Sequence, residues 1–124
     1  MGFNFNNEIP IYLQIVEQIK TQILSKKYLP NQKIPSVRDL AFEFEVNPNT
    51  VQKALFELES MGLIYTESTN GKFVTTDEKL IESVREKSIQ EVIETFYDSM
   101  EKIGLNKESA KEILLDERSG KWKF

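Results

Sequence analysis

The sequence predicts a mainly α-helical fold with one small β-hairpin, on three observations. Apolar residues recur at the 3.6-residue period of a helix in five separate stretches. Two of those stretches, inside residues 34–64, are separated by Glu45 and Val46 alone. An Asn70-Gly71 pair sits between two β-prone runs, 63–66 and 72–75, which is the signature of a tight hairpin.

The closely joined pair organises the rest. Its first helix carries Val37, Leu40, Ala41 and Phe44 on one face; its second carries Val51, Ala54, Leu55 and Leu58. Ser36 is placed to cap the first, with Asp39 three residues on. Asn47 is a good N-cap for the second and Pro48 is tolerated at the first helical position. Two short helices with so brief a connection cross steeply, as in a helix-turn-helix, with Val46 plugging the gap. The crossing leaves the start of the second helix uncovered. What it presents there is Asn47, Asn49, Thr50, Gln52 and Lys53. Amides bond adenine in two places, and a lysine meets guanine or phosphate, so these groups suit a DNA major groove. Ser36 and Arg38, at the start of the first helix, are the matching candidates for phosphate, or for a guanine in the case of Arg38. A polar face is by itself no more than a solvated face. The turn length and the small polar residues at the helix start shift the reading towards DNA.

The run 29–74, LPNQKIPSVRDLAFEFEVNPNTVQKALFELESMGLIYTESTNGKFV, resembles the winged-helix domain of the GntR family of bacterial transcription regulators. The shared elements are LP before the first motif helix, PSxRxLA, a TVxxAL core, LxxxGLI and a final GxFV. The short region after Val74 is similar to the YtrA-like subgroup, in which two helices stand where other members carry a large effector domain. The resemblance implies a winged helix-turn-helix followed by a helical dimerisation region, and DNA as partner. It implies wing contacts from Asn70, Gly71 and Lys72, although Glu67, Ser68 and Thr69 stand where basic residues or glycine are common. Pro48 stands where many members have a base-reading arginine, so the family's base preference does not carry over.

Composition narrows the chemistry. The 124 residues contain neither cysteine nor histidine. Disulfides and thiolate metal sites are therefore excluded, and the commonest general base is missing. No enzyme, cofactor or metal is expected. No apolar run approaches the ~20 residues that span a bilayer, and the first residues show no basic-then-apolar signal, so a cytoplasmic protein without membrane contact is expected. The net charge of −4 runs against a nucleic-acid binder. Residues 1–75 hold seven Lys or Arg against eight Asp or Glu (−1), and 76–124 hold nine against twelve (−3). Few phosphate contacts and an affinity that needs two subunits follow.

Taken in order, residues 1–8 read as a loose polar arm. A first long helix begins at Ile9-Pro10 with Tyr12, Ile15, Val16, Ile19 and Ile23 on its inner face, and Lys26 and Lys27 at its negative end. Lys33-Ile34 is a candidate short strand, and Gly62 suits a helix end that needs positive φ. Thr75 with Glu78 is a capping box for a helix of about 77–102. Its apolar stripe, Ile81, Val84, Ile89, Val92, Ile93, Phe96, Met100 and Ile103, is more than the chain itself can cover. A second copy is the expected cover. Asn106 caps a shorter helix, and a tail with Trp122 and Phe124 is either unstructured or part of the interface.

The domains expected are thus 1–75, a DNA-binding winged helix-turn-helix, and 76–124, a two-helix dimerisation region. The function expected is a repressor that reads an inverted-repeat operator as a homodimer. The competing reading is a winged helix used only for protein contacts. Which small-molecule effector acts, if any, is unknown; a cleft near Phe96, Tyr97 and Met100 is where one would sit.

Overall fold

The computed structural model describes residues 4–116. The elements run α1 (Ile11–Leu24), α2 (Val37–Phe44), α3 (Pro48–Ser60), β1 (Ile64–Thr66), β2 (Lys72–Val74), α4 (Glu78–Lys102) and α5 (Lys107–Leu115). The chain divides into two compact units, Met1–Arg85 and Glu86–Phe124.

The first unit is built on α3. Val51, Ala54, Leu55 and Leu58 are all buried, against α1 on one side and α2 on the other. Ile15, Val16, Ile19 and Ile23 supply α1's share of the core, and Leu40, Ala41 and Phe44 that of α2. Val46 packs on the same core, as its place in the turn implied. The turn is tight because Glu45 adopts a left-handed conformation (φ 56°) and the Val46 N–H returns to Ala41 O at 3.0 Å.

β1 and β2 pair antiparallel in the register Ile64↔Val74, Tyr65↔Phe73 and Thr66↔Lys72. Lys33-Ile34 forms no strand of its own. It makes a single bridge, Lys33↔Phe73, and the Ile34 N–H donates to Lys72 O at 3.0 Å, which lays this segment along β2. Gly62 turns the chain from α3 into β1 at φ +80°, which L side chains rarely adopt; a Cβ there would also lie 3.0 Å from Leu80 Cδ2, close enough to press on that side chain.

Several expectations are corrected. The arm is docked from Phe5 onward: the Asn6 N–H donates to Gln14 Oε1 (2.9 Å), Gln14 Nε2 donates to Asn6 O (2.7 Å), and Phe5 packs on Phe44 with ring centroids 6.3 Å apart. The polar letters of the arm hid one aromatic anchor and one glutamine clamp. α1 stops at Leu24, so Lys26, left-handed at φ 67°, lies past the helix end. α4 is capped by Asp77, whose Oδ1 accepts from the Leu80 N–H at 3.1 Å, while Thr75 Oγ1 accepts from the Asp77 N–H. Thr75 thus sits two residues before the cap and not at the cap position that its spacing with Glu78 suggested.

The domain boundary also moves. It falls inside α4, ten residues beyond residue 75, because Ile81 is buried in the core of the first unit and Val84 packs against it. The Arg85 guanidinium donates to the Leu24 carbonyl at the end of α1 and pairs with Glu82. Ile81 is therefore a core residue of the winged unit, and Val84 is partly buried against that core. The rest of the stripe belongs to the second unit. The segments 1–3 and 117–124, with Trp122 and Phe124, lie outside the described residues.

Replacing Phe44 with alanine is expected to cost about 3–5 kcal/mol, as for a fully buried aromatic. Phe5→Ala should cost about 1 kcal/mol through its ring contact. Urea unfolding of both variants checks this; a Phe5→Ala curve coincident with the parent would mean that the arm adds nothing to the core.

Candidate nucleic-acid interface

The buried face of α3 fixes what its opposite face presents. Pro48, Asn49, Gln52 and Lys53 are exposed, and Thr50 is half-buried. Asn47 Oδ1 accepts from the Asn49 N–H at 2.7 Å, so its carbonyl oxygen is used in capping and its amide NH₂ remains to donate. Ser36 does the same for α2: its Oγ accepts from the Asp39 N–H at 3.1 Å, leaving its hydroxyl proton outward. Arg38 is exposed on the first turn of α2.

The cations differ in freedom. Lys53 Nζ stands 4.3 Å from the centre of the Tyr12 ring, which ties α3 to the start of α1 through a cation–π contact while the side chain stays exposed. Lys72 is not the free wing cation that the sequence suggested. Its Nζ lies 2.7 Å from Thr66 Oγ1 and 3.3 Å from Glu59 Oε1. Thr66 Oγ1 in turn donates to Glu59 Oε2 at 2.7 Å. The hydrogen bond from Thr66, reinforced by Lys72, holds the Glu59 carboxyl below the usual carboxylate range.

The wing tip is also internally bonded. Asn70 Nδ2 donates to Glu67 Oε1 at 3.3 Å, and a turn of 3₁₀ helix, Ser68–Asn70, closes the loop. Gly71 (φ +111°) is crossed by the Lys33 side chain, whose Cε would lie 2.9 Å from any Cβ. The start of α2 and the wing share an open cleft of about 340 Å³, in which Lys33, Ser36, Asn70 and Gly71 come together.

Three participants escaped the sequence reading. Glu59 and Thr66, as partners of Lys72, follow only from the packing of α3 on β1. Tyr12 was assigned to the core alone. A fourth, Phe56, carried a legible signal: it falls three and four residues after Lys53 and Gln52, so it stands on the polar face of α3, and it is 68% exposed. Its neighbour in kind, Phe42 on α2, is 86% exposed.

In the second unit, a cleft of about 270 Å³ lies at the α4–α5 turn, lined by Tyr97, Asp98, Glu101, Leu105, Asn106 and Lys107. Tyr97 is part of this lining, and Phe96 and Met100 are not. Among the described residues there is no group of metal-ligating side chains, and no helix is long and apolar enough to cross a membrane.

A three-helix core, a tight turn of residues 45–47 between α2 and α3, an α3 with one uncovered face and a hairpin beside it define a winged helix-turn-helix protein. Residues 11–74 match the family described as bacterial regulatory proteins, gntR family. The chain belongs to that family. It is similar to the HTH-type transcriptional repressor YtrA of Bacillus subtilis, 39% identical over 118 residues that cover 90% of each chain. It also resembles the structure of a GntR family transcriptional regulator from Listeria monocytogenes, at a TM-score of 0.78 and 42% identity, covering 84% of this chain and 91% of that one. The AraR DNA-binding domain, solved in complex with an operator, matches 60% of this chain and 88% of its own at 39% identity and a TM-score of 0.53.

Because Glu59 is held below its unfolded value of about 4.3, it contributes stability that is present above that pH and lost as pH falls through the folded value. Glu59→Gln is therefore expected to be less stable than the parent at pH 7 and to converge on it below about pH 4. Urea midpoints measured across that range test the sign; a gap that widens on acidification contradicts it.

Proposed function

We propose that the protein is a transcriptional repressor that binds operator DNA through the outer face of α3, as a homodimer on an inverted repeat. One observation carries the reading: α3 buries one face completely and leaves Asn49, Gln52 and Lys53 exposed on the other, while Ser36 and Arg38 are exposed at the start of α2. Amides at 49 and 52 suit base edges; Ser36, Arg38 and Lys53 suit phosphates, with guanine a second option for Arg38. Thr50 and the Asn47 amide flank the set. Pro48 shapes the helix start without reading a base. At the wing, Asn70 and Gly71 keep their place as contacts. Family membership supports this reading, as do the repressor YtrA and the operator-bound AraR domain.

The homodimer is supported by the second unit. Ile89, Val92, Ile93 and Ile103 are all exposed in the single chain, with Val92 at 69% and Ile103 at 72%. Phe96 and Met100 are half-buried beside them, and Leu114 and Leu115 of α5 are exposed as well. Contiguous apolar surface of this kind on a helix asks for cover, and an identical helix offers the same surface in return. Two reading helices held about 34 Å apart would meet successive major grooves on one side of the duplex. The acidic chain has little positive charge with which to hold DNA as a single domain, so the avidity of two domains is required.

Fluorescence anisotropy on a duplex selected in vitro with the full chain tests the reading face. Gln52→Ala should cost about 1–3 kcal/mol and relax preference at one base position, whereas Lys53→Ala should weaken all sequences alike and flatten the salt dependence by about one unit. Two variants that titrate like the parent would place the contact elsewhere.

Val92→Glu isolates the dimer. Val92 is exposed in the single chain, so a carboxylate there leaves the fold intact, but in an interface it would be buried without a partner. The variant is expected to keep its circular dichroism, sediment as a monomer, and lose at least about tenfold in operator affinity. A parent that sediments as a monomer at micromolar concentration while binding tightly removes the proposal.

A further inference from the structure

The wing of this protein carries a cation that is already satisfied. Lys72 Nζ touches Thr66 Oγ1 and Glu59 Oε1, and the Thr66 hydroxyl spends its one proton on the second oxygen of the same carboxylate. Three side chains from α3, β1 and β2 thereby close a ring in which every contact is charge-assisted. The Lys72 and Glu59 side chains are 28% and 35% exposed, so the ring is partly shielded from water and counterions. We propose that Glu59 is a positioning residue that withholds Lys72 from DNA, so that the wing meets the duplex as a fixed strut whose Lys72 is already neutralised and not as a cationic arm. This rests on the DNA-binding reading above.

The alternative is that Lys72 leaves the ring for a phosphate when DNA arrives. Charge balance argues against it. Moving the ammonium exchanges a carboxylate partner for a phosphate partner, and it uncovers Glu59 beside the same polyanion. One attraction is replaced by another and one repulsion is added. The neighbouring hairpin tip supplies no replacement cation, because its own ionised group, Glu67, is an acceptor for Asn70 and carries the wrong sign, and the Lys33 side chain lies across Gly71 whether or not Lys72 moves. The ring also sets the wing's angle, since it joins the last turns of α3 to both strands at Thr66↔Lys72, the pair nearest the tip.

Salt-titrated binding of the full-length parent, E59Q, K72M and the double variant E59Q/K72M to a duplex selected in vitro on the parent separates the two cases. The slope of log K against log salt counts neutralised phosphates at about 0.9 per contact. With Lys72 withheld, E59Q frees it, and the slope steepens by about 0.9 with tighter binding at low salt. The double variant exchanges a neutral pair for a neutral pair and should match the parent's slope, while K72M alone, leaving Glu59 uncovered, binds more weakly. A double variant flatter than the parent by about 0.9 means that Lys72 already sits on a phosphate, which overturns the proposal. An E59Q slope equal to the parent's overturns it as well, whatever the double variant does. Hydrogen exchange of the free proteins over residues 65–73 supplies a readout without DNA: E59Q should exchange faster there, and unchanged protection would mean that the ring holds nothing. A parent that binds no DNA sinks the DNA reading itself; a binding parent with an unsteepened E59Q sinks only the withholding role.

Discussion

The burial of α3's inner face is the constraint from which the rest of the winged unit follows. Val51, Ala54, Leu55 and Leu58 have nowhere to go but between α1 and α2, and once they are placed the opposite face has no choice but to point outward. The left-handed Glu45 makes the approach of α2 short enough for both helices to share Phe44 and Val46. β1 leaves the end of α3 through Gly62, so the wing's position is inherited from the same helix. A change in the packing of α3 would move the reading face and the wing together.

Charge is distributed with economy in this unit. An acidic chain that binds a polyanion must keep its few cations where they count. Lys53 is held at the outer face of α3 by a ring that does not neutralise it, since an aromatic face attracts a cation without supplying a counter-charge. Lys72 is held by a carboxylate that does neutralise it. Two lysines of equal formal charge thus contribute differently to the local field, and the difference lies in their partners.

The second unit answers to a different rule. Its helix surface is richer in exposed apolar groups than its own elements cover: Ala110 of α5 is buried, yet Ile89, Val92 and Ile103 are not. The winged unit closes its own core.

The five helices, the hairpin and the tight turn were legible in the sequence because each depends on local rules: apolar period, capping side chains at Ser36, Asn47 and Asn106, and the demand for positive φ at Gly62. The polar outer face of α3 was legible for the same reason, being the complement of a helical stripe. The split of the α4 stripe was not. Ile81 and Val84 look like Ile89 and Val92 in sequence, and only the proximity of α4's first turns to the core of the winged unit separates them. Nor was the docking of Phe5 on Phe44, nor the clasp of Glu59, Thr66 and Lys72, since each joins residues distant in the chain through contacts that exist only after packing. The sequence by itself determined which faces are apolar and where helices start and stop, because those are set within a turn or two of chain. Which apolar residue meets which core, and which lysine keeps its charge available, was decided by the tertiary structure, because burial and ion pairing depend on neighbours that no local pattern names.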